Sequence, residues 1–220
     1  MRMVRCTAVR RNRHWLESRE RNSSRRLVSK ARLPRARNRK QHSMEIGALI
    51  DRSLAYLWLS SWLVAGAIDY LCHRRTNIEL TSGATESWLH IAQFVTVAAA
   101  LGCAVLMRPS PASLFAIVAL ILTHTVLAFI DVSYTDGRRR ITPVEQHAHG
   151  FLLVVPIVAV VLFAIQHWSE VLSRTWRLQW VAEIEPAALW LVFGFCVIAG
   201  VPVAEELART LRNGKAASIT

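Results

Sequence analysis

Several common signatures are missing from this 220-residue chain. Its four cysteines, Cys6, Cys72, Cys103 and Cys196, lie far apart and form no CxxC pair. That excludes a zinc-ribbon or disulfide framework and leaves them as small apolar side chains. No internal repeat of solenoid length is present. Residues 1–43 have almost no acid and no apolar core of the kind a secretory signal needs. Their arginines are not interleaved with aromatics, which argues against nucleic-acid binding.

The charge is unevenly placed. The chain carries a formal +12, but residues 1–43 hold 15 Lys and Arg against only Glu17 and Glu20, and residues 44–220 balance 12 bases with 13 acids. The basic stretch reads as a disordered tail holding anionic lipid, as an organelle transit peptide, or as sequence upstream of a true start at Met44. Residues 44–220 read as one transmembrane helical domain.

What the chain has in abundance is hydrophobic residues, at 53%. Apolar runs at about 54–72, 87–107, 112–133, 150–167 and 187–204 each approach the length a bilayer core requires. The expected fold is an all-α integral membrane bundle of about five transmembrane helices, four forming a core and one added at the C-terminus. Ser110-Pro111 and Thr142-Pro143-Val144-Glu145 read as helix starts, the second as a capping box. Trp168, Leu172, Trp176 and Trp180 recur at about one helical turn, which predicts an amphipathic helix lying at the membrane interface.

With five spans and a start at Met44, one side of the membrane receives Arg74, Arg75, Arg138, Arg139, Arg140, Arg209, Arg212 and Lys215. The other receives Arg52, Arg108, Arg174 and Arg177. The positive-inside bias then makes the richer side cytoplasmic, as in a bacterial inner membrane. Keeping the basic tail reverses that vote.

The acids and histidines supply the chemistry. Asp69 and His73, Glu86 and His90, and Glu145 and His149 are each four apart, so each pair shares one helical face. Eight histidines and fifteen acids would give about half such a match by chance, not three. All three pairs fall at the same membrane face. His124 and Asp131, seven apart, add a deeper pair on a third helix. Ionisable groups at such depth are functional candidates.

The expected metal ligands are therefore Asp69, His73, Glu86, His90, His124, Asp131, Glu145 and His149, with Asp131 also the candidate catalytic base. Mixed carboxylate and imidazole donors suit a pair of divalent cations, with iron favoured and zinc or manganese the other options. The spacing of four differs from the Glu-x-x-His of di-iron bundles. The HxxxH and HxxHH boxes of membrane desaturases are absent.

This points to a metal-dependent membrane oxidoreductase acting on a lipid or isoprenoid-like substrate, supplied by an electron donor. Zinc-dependent lipid hydrolysis, b-type haem electron transfer, metal or proton transport and a purely structural network are the alternatives. Glu205-Glu206 read as a solvated helix end, Arg74, Arg75 and Arg138–Arg140 as flanking charge, and His147 as a solvated loop residue.

Overall fold

A computed structural model describes residues 44–217, so the basic tail lies outside the described residues. The chain divides into two units at residues 49 and 50, and only 44–49 of the first unit are described, as helix. In the second unit a π-helical stretch, Ser53–Trp58, leads into α1, Leu59–Arg75. Then follow a short 3-10 turn at Ile78–Leu80, α2 at Gly83–Leu106, α3 at Pro111–Thr135, α4 at Pro143–Ser173 and α5 at Pro186–Ala217. Five helices are long and apolar enough to cross a membrane, and no strand occurs among the described residues.

The starts follow local chemistry. Ser110 Oγ accepts the Ser113 N–H, and Thr142 Oγ1 accepts the Glu145 N–H, each with proline at the first helical position. Between α1 and α2, Asn77 takes a left-handed conformation that asparagine tolerates better than most residues. Ile78 is then buried completely and anchors the turn.

α1 packs on α4 and α5, α2 packs on α3 and α5, and α3 packs on α4. These contacts close the five helices into a ring in the order α1, α4, α3, α2, α5. The C-terminal helix is thus a full member of the ring, not an addition to a four-helix core. An apolar cluster of Trp62, Val97, Ile117, Ile121, Val155, Phe163 and Phe195 lines one half.

Burial is inverted relative to a water-soluble fold. Phe115, Leu122, Phe129, Phe193 and Ile198 point outward, whereas His73, His124, Glu86 and Glu145 are among the most completely buried side chains. The apolar exterior is compatible with a membrane setting, and polar pairing on the inside accounts for the buried charges.

The expected interfacial helix is not present. α4 ends at Ser173, and residues 174–185 are non-helical. Backbone bonds pull this segment against the end of α2: Arg108 N–H donates to Gln179 O at 2.8 Å, and Val181 N–H to Leu106 O at 2.9 Å. In an extended chain alternate residues share a face, and Trp176, Leu178 and Trp180 are all exposed. Trp168 and Leu172 stay on α4, while Trp176 and Trp180 fall in the non-helical segment bonded to the end of α2.

Candidate metal centre

The acid–histidine helices converge at one end of the ring. The C-termini of α1, α3 and α5 meet the N-termini of α2 and α4 there, which brings together five carboxylates and three histidines. Asp69, Glu86, Asp131, Glu145 and Glu206 are all 8% exposed or less. The helical spacing works as expected: Asp69 and His73 lie within 3.6 Å, and Glu86 and His90 within 4.0 Å.

His73 and His90 are the centre of the arrangement. Their rings stack nearly parallel, 4° apart in plane and 4.6 Å between centroids. Both Nδ1 atoms face one carboxylate, that of Glu206, at 2.8 and 2.7 Å. An ionised carboxylate can only accept, so each Nδ1 carries a hydrogen, and a ring in its neutral form then has its lone pair at Nε2. Both Nε2 atoms are buried and lack a hydrogen-bond partner among the described residues, as do Asp69 Oδ1, Asp131 Oδ1 and Glu145 Oε1.

These atoms fall into two neighbouring groups. His73 Nε2 lies 3.6 Å from Asp69 Oδ1 and 3.4 Å from Glu145 Oε1, and His149 Nε2 lies 2.9 Å from Asp69 Oδ1. His90 Nε2 lies 3.2 Å from Asp131 Oδ2. Glu86 Oε1 sits between the groups, 3.8 Å from His73 Nε2 and 4.0 Å from His90 Nε2. Within each group, Asp69–His73–Glu145–His149 and Glu86–His90–Asp131, the donor atoms are close enough to hold one metal ion.

Glu145 also completes its capping box, since Oε2 accepts the Thr142 N–H at 3.4 Å while Oε1 faces His73. The helix cap aims the other oxygen at the site. Asp131 is held by Gln93, whose amide donates to Oδ2 at 3.2 Å.

Seven of the eight expected ligands are assembled, and His124 stands apart. It shares a face with Asp131 but lies about two turns deeper. Its ring nitrogens face backbone carbonyls, Gln93 O and Leu152 O, each at 3.3 Å.

Two residues were misplaced by sequence reasoning. Glu206 is 2% exposed and joins His73 to His90, whereas its neighbour Glu205 faces outward to Tyr70 and Arg74. The spacing Phe195, Ala199, Pro202, Glu206 follows one helical face, and that register separates the two glutamates. Arg139 is not flanking charge: it is 9% exposed, and its Nη2 lies 2.5 Å from both Glu86 Oε1 and Glu145 Oε1. Burial alone would lower its pKa, but the two carboxylates hold it above the ordinary arginine value. His147 is solvent-exposed as expected, but on the outer face of α4 and not in a loop; its Nδ1 bonds Pro143 O.

Below the cluster the ring encloses a cavity of about 440 Å³, with walls mainly apolar. Asp69, His73, His90, Asp131, His149 and Glu206 line its polar end, and Trp62 and Phe94 lie among its apolar walls.

No protein-family model matches the chain, and no curated protein or solved structure matches it.

Proposed function

We propose that this chain is an integral membrane protein that holds two divalent cations, iron in the favoured case, and oxidises a lipid-like molecule in the cavity beneath them. One observation carries the reading. Two buried, parallel imidazoles are fixed by Glu206 so that their Nε2 atoms face carboxylate oxygens at 3.2 to 4.0 Å. Such a contact is repulsive unless a proton or a metal cation lies between nitrogen and oxygen, and a metal cation serves several of these buried oxygens at once. A carboxylate on the far nitrogen of a metal-bound histidine is the usual second-layer device for orienting it.

Charge agrees. Five buried carboxylates against the single Arg139 guanidinium leave four negative charges, which two divalent ions neutralise. Glu86, between the two groups and also held by Arg139, would be within reach of either ion. Nitrogen and oxygen donors without sulfur suit iron, manganese or zinc. The carboxylate count exceeds what one catalytic zinc uses, which favours oxidation over hydrolysis. A b-type haem fits less well, because His73 and His90 are turned the same way instead of facing one another across a ring.

A redox-active pair held there supplies oxygen-dependent oxidation of a C–H bond, with electrons from an external donor. The protein's own part is placement. The apolar walls bind an alkyl portion, and Asp131, with Oδ1 unpartnered at the cavity's polar end, holds or takes a proton. Counted from Met44, the arginine bias supports a cytoplasmic position for this end, as in a bacterial inner membrane; counting the basic tail reverses it.

The test is turnover in lipid nanodiscs with iron, oxygen and a chemical reductant. Oxygen uptake with lipid products that gain one oxygen atom or lose two hydrogens is expected. Release of free acid or amine by zinc-loaded protein, with no oxygen uptake by iron-loaded protein, would replace oxidation with hydrolysis.

A further inference from the structure

A second cavity of about 290 Å³ occupies the other half of the ring, among Val97, Ile117, Val155 and Phe163. Trp62 is the one described residue that lines both cavities. Its indole is 8% exposed and packs against Phe195, with ring centroids 5.2 Å apart.

The indole is held by a backbone device. In a regular helix the Leu152 carbonyl would accept from the N–H of residue 156, but that residue is proline and has none. The freed carbonyl accepts Trp62 Nε1–H at 3.1 Å and also faces His124 Nε2 at 3.3 Å. Proline in a membrane helix is tolerated where neighbouring side chains satisfy the freed group, and here they do. Pro156 thereby fixes the tryptophan across the ring.

We propose that Trp62 is the floor of an alkyl-chain site and sets the length of chain that the metal centre accepts. The inference rests on the reading of the upper cavity as a lipid site. Trp62 lies three turns before His73 on α1, so the chamber is roughly 16 Å deep, about half a bilayer's hydrocarbon core. A polar cluster at one end and apolar walls elsewhere suit one chain entering with its reactive carbons toward the cluster. Beyond the indole, the second chamber has space for a longer chain that Trp62 keeps out.

The experiment measures binding of octanol, dodecanol and octadecanol to the full chain in detergent, by displacement of a fluorescent polyene fatty acid. It uses chelator-stripped protein, so the outcome does not depend on metal. Wild type should gain affinity from octanol to dodecanol and little beyond. Trp62→Ala should bind octadecanol at least about tenfold more tightly than wild type and leave octanol nearly unchanged, since each newly buried methylene adds affinity.

Pro156→Ala returns an N–H to Leu152 and should relax the limit in the same direction, which keeps the test intact if Trp62→Ala does not fold. An unchanged length preference in the folded variants overturns the proposal, as does the absence of alcohol binding. Either result with two metals still bound leaves the metal centre standing. A length step in a protein that binds no metal does the reverse.

Discussion

Charged groups at the two ends of the same ring obey different rules. At the far end Glu170 of α4 pairs at 3.2 Å with Arg174, just past the end of that helix, and both side chains remain a third or more exposed. In the acid–histidine cluster at the other end each carboxylate is nearly sealed from water, and most partners come from a different helix. Glu206 of α5 reaches His73 of α1 and His90 of α2, and Arg139 reaches Glu86 of α2 and Glu145 of α4. Exposed pairs can lose a partner to water. Buried ones cannot, so the ring is locked together by groups that are costly to leave alone.

The largest break in this contrast should come from the histidines that face the carboxylates. His73→Ala or His90→Ala should lower bound metal from two ions per chain to one or none, measured by elemental analysis of purified protein. Arg139→Met should follow. It strands Glu86 and Glu145 and should cost about 3–5 kcal/mol of stability. Unfolding in detergent should show a greater loss after chelation than before it, because cations replace part of the missing charge.

Glu206→Gln should be milder, leaving a folded protein whose metal affinity falls about tenfold to a hundredfold, read by competition with a chelator. Glu170→Gln at the far end should change stability by less than about 1 kcal/mol, the usual value of an exposed pair. If Glu170→Gln and Arg139→Met had equal effects, the contrast between the two ends would fail.

The parts of this architecture written in short-range pattern are the parts legible in the sequence. Five apolar runs became five helices, and three acid–histidine steps landed on inward faces because helical geometry fixes residues four apart. Glu206 was obscured because two adjacent glutamates point in different directions, and only the position of α5 in the ring decides which is inside. Arg139 sits in a loop, where no periodicity distinguishes it from Arg138 or Arg140. His124 was on the right face at the wrong depth, since register gives direction without saying where the site ends. The tryptophans of 168–180 share a helical period, but α4 stops at Ser173, and backbone bonds to the end of α2 take up the rest of the segment.

The most direct test of the central claim is the metal content of protein purified from residue 44 onward, measured beside its His90→Ala variant. The account predicts about two iron, manganese or zinc ions per chain in the parent and a clear drop in the variant. No stoichiometric metal in the parent, after purification without chelator and with iron supplied, would contradict it and leave the cluster as an ion-pair network carrying protons on its histidines.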